Sequence, residues 1–249
     1  MITKTSLKIP ETSRSFGTGY KKFPAFAGMN MKLKICGIKH NPTEVASLSP
    51  DYMGFIFYDK SPRYVAEVPE DIPLHIQKVG VFVNASVEDV VEKTKGFGLA
   101  AIQLHGDESV EYIELLRHSF RESEINVPEI WKVFGIKDQL DIDALRKFES
   151  VSDKFLFDTK GASRGGNGVT FDWQLLKNYN LNTPYWLSGG IGLEEMKEVK
   201  IFSQTKAAKK LYGIDINSKV EISPGLKDKK KIHELKTCYD DDRTTLVSR

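Results

Sequence analysis

Four stretches of this chain end an apolar run on a side chain, or a backbone turn, that can do chemistry. Cys36 closes Leu33-Lys34-Ile35-Cys36 and precedes Gly37, and Asp158 closes Phe155-Leu156-Phe157-Asp158. Ser188-Gly189-Gly190 follows Trp186-Leu187, and Asp215 closes Tyr212-Gly213-Ile214-Asp215. A free cysteine is most often a small buried hydrophobe. At a strand end beside glycine, its thiolate is also a nucleophile or a base. A carboxylate after three apolar residues needs either a partner or a task; the plain alternative for Asp158 is an Asx-type cap of the next loop.

Two further patterns suit anions. Ser188-Gly189-Gly190-Ile191-Gly192 is expected to open a helix at Leu193-Glu194-Glu195, where N–H groups unobstructed by side chains would cradle a phosphate. Gly213-Ile214-Asp215-Ile216-Asn217-Ser218 adds a second polar loop, so Gly189, Gly190, Asn217 and Ser218 are the candidate phosphate contacts. Arg63, in Ser61-Pro62-Arg63-Tyr64, sits where Pro62 fixes the backbone, and guanidinium is the side chain best shaped to grip a carboxylate. A solvated surface charge is the default reading of any arginine. Gln103 and His105 alternate about Leu104, which makes them candidates to line a site, as is Asp215.

The elements that position these residues alternate along the chain. Strand-like runs fall at 32–36, 52–58, 78–83, 100–104, 129–134, 154–158, 185–188 and 210–215. Helix-like stretches lie between them. Pro42 stands in a first helical turn, and Ser86 with Asp89 makes an N-cap for 87–95. Segment 108–120 repeats Val110, Ile113, Leu116 and Phe120 at helical period. Segments 139–149, 171–179, 192–203 and 226–237 are expected as helices, and 65–76, with Pro69 and Pro73, is the weakest of the set. Alternation of this kind implies a parallel sheet, and eight units imply closure into a single (β/α)8 barrel of the TIM type, an α/β fold whose sites sit at the strand C-termini. An open doubly wound sheet is the competitor, but only Cys36-Gly37 stands where its glycine-rich turn belongs.

Length and composition agree with one catalytic barrel over 31–239. At 249 residues, with 40% hydrophobic and 28% charged residues, the chain can bury a sizeable core. A net charge of +2 excludes a nucleic-acid footprint. Cys36 and Cys238 alone make neither a disulfide framework nor a zinc site. No apolar run approaches the ~20 residues that span a bilayer. A cytoplasmic protein without a metal is the expectation. Residues 1–30 carry Lys4, Lys8, Arg14, Lys21 and Lys22 against Glu11, with no apolar signal core. They resemble a transit segment or, more plainly, an extension upstream of a start at Met29 or Met31. Asp240–Arg249 is expected as a polar tail.

Taken in order, the motifs resemble the phosphoribosylanthranilate isomerase family of tryptophan biosynthesis. They are Lys34-Ile35-Cys36-Gly37, Ser61-Pro62-Arg63-Tyr64-Val65, Val79-Gly80-Val81-Phe82-Val83-Asn84, Gln103-Leu104-His105-Gly106-Asp107-Glu108, Asp158-Thr159, Ser188-Gly189-Gly190-Ile191 and Pro224-Gly225-Leu226-Lys227-Asp228. The resemblance covers about 32–237. It implies a (β/α)8 barrel catalysing an Amadori rearrangement of a phosphorylated substrate without metal or cofactor, in a monomer or homodimer. It implies Cys36 as general base, Asp158 as general acid and Arg63 as the clamp on the anthranilate carboxylate. Where the family reads Ser-Ser-Gly-Val-Glu, this chain has Asn217-Ser218-Lys219-Val220-Glu221. Either the backbone there tolerates a side chain, or Lys219 adds charge to the phosphate site. A histidine-pathway isomerase would show paired aspartates and an indole-glycerol-phosphate synthase a lysine and a glutamate at strand ends. Cys36 argues against both; a barrel kept only for binding is expected to have lost Cys36, Asp158 or Arg63, and all three are present.

Overall fold

In a computed structural model of the protein, eight parallel strands close into a barrel in sequence order. The described residues are 31–244 except 70, 124–125 and 160–169, and side chains are described as far as Cys238. The expectations for 1–30 and for 245–249 fall outside them, as does the loop Gly161–Gly168 with Arg164, whose sequence suits a cover over the substrate. The strands are β1 (Lys32–Cys36), β2 (Tyr52–Ile56), β3 (Gln77–Phe82), β4 (Ala101–Leu104), β5 (Glu129–Ile136), β6 (Lys154–Thr159), β7 (Tyr185–Leu187) and β8 (Leu211–Ile216). The helices are α1 (Pro42–Ala46), α2 (Val87–Phe97), α3 (Val110–Glu122), α4 (Ile142–Arg146), α5 (Met196–Ser203) and α6 (Lys229–Thr244).

Period-2 alternation divides each strand between two environments. In β1, Leu33 and Ile35 join the core between sheet and helices, which leaves Lys34 and Cys36 to the barrel interior. Near its N-terminal end the interior is filled by aromatic rings. Tyr52 meets Trp131 and Trp186 at centroid distances of 5.3 Å and 5.2 Å, and Trp131 and Trp186 lie 5.0 Å apart. Lys154 covers Tyr212 at 4.4 Å and pairs with Glu129 at 2.6 Å. Val79, Ala101 and Leu156 complete this apolar layer. Polar residues therefore stand only at the ends of the interior, and those of the C-terminal end form the site.

A serine hydroxyl caps each of the two longest inter-strand helices. Ser86 accepts the Asp89 N–H at 3.1 Å to start α2, and Ser109 accepts the Tyr112 N–H at 3.2 Å to start α3. Four expectations are corrected. Among the described residues of 65–76 there is no helix: Pro69 and Pro73 deny it two N–H donors. The 171–179 helix is a short 3₁₀ turn, Trp173–Asn178, started by Asp172 accepting the Gln174 N–H. α5 begins at Met196 and not at Leu193: residues 193–195 form a turn, across which the Glu195 carboxylate accepts the Gly192 N–H at 2.8 Å. The 226–237 stretch starts instead in a hairpin of β9 (Glu221–Ser223) and β10 (Leu226–Lys227), turned at Pro224-Gly225, and the helix then runs Lys229–Thr244.

Candidate active site

All ten sequence candidates line one cavity at the C-terminal mouth of the barrel: Cys36 from β1, Arg63 after β2, Gln103 and His105 from the β4 end, Asp158 from β6, Gly189 and Gly190 after β7, and Asp215, Asn217 and Ser218 from the end of β8. Tyr58, Ser61 and Lys219, outside those ten, line it as well.

The most consequential residue that strand-end chemistry does not mark is Lys34. Register pairs Lys34 with Asp215 across the β1–β8 seam, and Nζ donates to Asp215 Oδ2 at 2.9 Å with both groups buried. Cys36, two residues on and on the same face, also contacts the ammonium group. Gly54 stands opposite Cys36 in β2, where a Cβ would come within 2.8 Å of Sγ and 3.2 Å of Lys34 Cε. A side chain there would push the thiol and the ammonium apart.

Electrostatics follow from this packing. Burial pushes the Cys36 thiol above its ordinary value; the Lys34 ammonium pulls it down, and Asp215 adds to the rise. For Lys34 burial favours the neutral amine, but Asp215 and Cys36 together outweigh it and the group titrates above its usual range. Burial raises Asp215 too, with Lys34 opposing. Lys34 therefore stays charged, and it is the closest available counter-charge for a Cys36 thiolate.

Asp158 belongs to a second chain of contacts. Its Oδ1 accepts the Thr159 N–H at 2.9 Å, and its Oδ2 lies 3.5 Å from His105 Nε2. His105 Nδ1 is 3.2 Å from Gln103 Nε2. The loop carrying His105 is fixed by Glu108, which accepts the Asn84 and Gly106 N–H groups and pairs with buried Lys132 at 2.9 Å. Two acceptors facing this region, Gln103 Oε1 and Asp215 Oδ1, are buried without a protein partner. A buried acceptor left unpaired costs about 1–3 kcal/mol, so both favour a ligand that brings hydroxyl donors.

Arg63 is held differently from the expected clamp. Its Nε donates to Glu221 at 2.9 Å and its Nη2 at 2.7 Å, so the side-on fork grips the protein's own carboxylate. The end-on fork of Nη1 and Nη2 is what it can offer a ligand. Glu221 also binds Lys227 at 2.8 Å, and Lys227 reaches Asn217 Oδ1 at 2.8 Å. Burial pulls Lys227 down to about 8 against the opposing pull of Glu221. Arg63 is thus linked through the β9–β10 hairpin to the loop after β8, a connection that no short-range sequence pattern announces.

Gly189 and Gly190 both have left-handed backbones, with φ of 86° and 69°. A Cβ on Gly189 would also collide with Thr159 and Asp158. The glycines are therefore required, although they form a loop ahead of α5 and not its first turn.

Comparison with known proteins adds an independent line. The profile of the N-(5'-phosphoribosyl)anthranilate (PRA) isomerase family matches residues 33–237. An N-(5'-phosphoribosyl)anthranilate isomerase from Parabacteroides distasonis is 39% identical over 210 residues, covering 81% of this chain and 90% of that protein. The crystal structure of phosphoribosyl anthranilate isomerase from Thermotoga maritima superposes with a TM-score of 0.68 at 29% identity, over 85% of this chain and 99% of that one. A phosphoribosyl anthranilate isomerase in complex with reduced 1-(o-carboxyphenylamino)-1-deoxyribulose 5-phosphate superposes with a TM-score of 0.66 at 26% identity, over the same shares.

Proposed function

This chain belongs to the N-(5'-phosphoribosyl)anthranilate isomerase family, and from that premise we propose how its cavity performs the rearrangement of N-(5'-phosphoribosyl)anthranilate to 1-(2-carboxyphenylamino)-1-deoxyribulose 5-phosphate. The reaction is an aldose–ketose isomerisation within tryptophan biosynthesis. The observation that carries the assignment of roles is the placement of a thiol with its own ammonium, a carboxyl group and a glycine loop around one barrel mouth.

Asp158 gives a proton to the ribose ring oxygen. The C1–O bond breaks, the nitrogen lone pair forms a C1=N iminium, and the ring oxygen becomes a hydroxyl. His105 and Gln103 hold the carboxyl group in place. Cys36, as thiolate beside Lys34, then removes the C2 proton, and the C2–H electrons form the enolamine. Return of a proton to C1 and loss of the C2 hydroxyl proton give the ketone. Proton transfers between positioned groups are the whole of this chemistry. Gln103 Oε1 and Asp215 Oδ1 accept hydroxyl donors of the opened ribose. Gly189, Gly190, Asn217 and Ser218 surround the phosphate, and the end-on fork of Arg63 meets the anthranilate carboxylate.

No helix among the described residues is long and apolar enough to cross a membrane. We place the enzyme in the cytoplasm, acting on a small phosphorylated substrate as monomer or homodimer, with neither nucleic acid nor membrane as partner. The test follows anthranilate fluorescence during turnover by the parent, Cys36→Ala and Asp158→Asn. Each substitution is expected to cost ~100-fold or more in kcat with product-analogue affinity retained. Activity within about tenfold of the parent for either variant would remove that residue from its role.

A further inference from the structure

Lys219 lies against the glycine loop, not out in solvent. A Cβ on Gly192 would sit 2.8 Å from Lys219 Cβ and 3.2 Å from its Cγ, so the lysine stem packs over the backbone that follows Gly189-Gly190. The stem lines the cavity beside Ser218. Nζ reaches Glu195 Oε1 at 3.4 Å, and the other oxygen of the same carboxylate accepts the Gly192 N–H at 2.8 Å. Glu195 is therefore an oxyanion bound by one glycine-loop N–H and one ammonium. That is the donor set a phosphate oxygen takes.

Among the described cavity-lining residues, Arg63 and Lys219 are the only lysine or arginine side chains, and Arg63, held by Glu221 on one edge, serves the carboxylate end in the reading above. Lys219 alone stands at the glycine end. Its pair with Glu195 is long, and both side chains are partly exposed, at 32% and 21%. Such pairs are weak. The lysine stem has the rotatable bonds to turn toward the cavity. A phosphate, with more negative charge than the carboxylate, wins that competition.

We propose that Lys219 is a side-chain ligand of the substrate phosphate, held in readiness by Glu195 and handed over when the phosphate enters. This rests on the phosphate end of the cavity assigned above. Because the phosphate does not react, the contact strengthens ground state and transition state alike and belongs in KM, not kcat.

The experiment compares the parent with Lys219→Met, Lys219→Arg and Glu195→Gln, reading steady-state turnover and, independently, inorganic phosphate binding by calorimetry. A lost charge-assisted contact predicts that Lys219→Met raises both KM and the phosphate dissociation constant by about tenfold. kcat should be unchanged, and Lys219→Arg should recover most of the affinity. Glu195→Gln, which removes the competing carboxylate, should bind phosphate at least as tightly as the parent. Unchanged phosphate binding in Lys219→Met overturns the proposal, as does a loss in kcat at constant KM. So does a Glu195→Gln defect equal to that of Lys219→Met, which would make the pair a structural brace. Parent enzyme without turnover would refute the assigned reaction, while the calorimetric arm still decides the role of Lys219.

Discussion

Replacing Lys34 tests whether an interior ammonium group sets the basicity of Cys36. Lys34→Met keeps the length of the stem and removes the charge, but leaves Asp215 buried without its partner. Breaking a buried pair from one side costs about 3–5 kcal/mol, so the informative variant is Lys34→Met/Asp215→Asn. An opposite charge this near a titrating group shifts it by about 1–3 pKa units. Asp215 itself pushes Cys36 up, so the reference is Asp215→Asn; against it, loss of Lys34 should raise Cys36 and cut its thiolate population ~10- to 1,000-fold on the acid side of its titration. A thiolate of higher pKa is a stronger base, and with a Brønsted slope of about 0.5 roughly half of that logarithmic loss returns. The expected fall in kcat is then about 3- to 30-fold near neutral pH. It shrinks as pH rises, because both enzymes approach full ionisation. Two assays read this: the pH dependence of single-turnover rate, and the pH dependence of Cys36 alkylation, which reports the thiolate without substrate. Cys238 is exposed and should be replaced by Ser for the second assay. If the folded double variant shows an acid limb superimposed on that of Asp215→Asn in both assays, Lys34 does not govern the base.

Two further outcomes follow from the Arg63–Glu221–Lys227 network. Arg63→Ala should weaken a carboxylated product analogue by ~10-fold or more and an analogue lacking the carboxylate far less, by direct affinity measurement; equal losses would make Arg63 a purely structural partner of Glu221. Glu221→Gln should destabilise the barrel by about 3 kcal/mol near neutral pH, since Lys227 and Arg63 lose their counter-charge. Burial would raise Glu221, but Arg63 and Lys227 outweigh it and hold the carboxyl below its ordinary 4.5. A depressed acid contributes stability that is complete above its unfolded value and lost as pH falls through the folded one. The difference in Tm should therefore narrow only below about pH 4.5. A gap that is constant from pH 3 to 7 would contradict the ionic origin.

The barrel was readable because its strands end where the chemistry starts. Cys36, Asp158, Gly189 and Asp215 each interrupt an apolar run, and that interruption marks the C-terminal edge of a strand. Lys34 escaped the same reading because one charge inside Leu33-Lys34-Ile35-Cys36 looks like the solvent face of a half-buried strand. Only closure turns that face inward, toward Asp215 from the far end of the chain. The start of α5 falls one turn later than expected, since residues 193–195 form a turn that apolar periodicity does not separate from the helix it leads into. The β9–β10 hairpin is two to three residues per strand, too short for any period to register. Yet it carries Glu221 and Lys227, which tie Arg63 to Asn217.

The ring-filled lower half of the barrel has an optical consequence. Trp131 and Trp186 come from β5 and β7, which are not neighbours, yet their rings lie 5.0 Å apart at 37°. Two indoles held this close and askew couple their transitions, so a near-ultraviolet circular dichroism band should mark the closed barrel. The band would vanish when β5 and β7 separate, even if local helices persisted. The third tryptophan, Trp173, sits outside the ring cluster in its 3₁₀ turn. Trp173→Phe should therefore leave that band intact and yield an enzyme whose intrinsic signal reports closure of the scaffold alone, separately from events at the mouth.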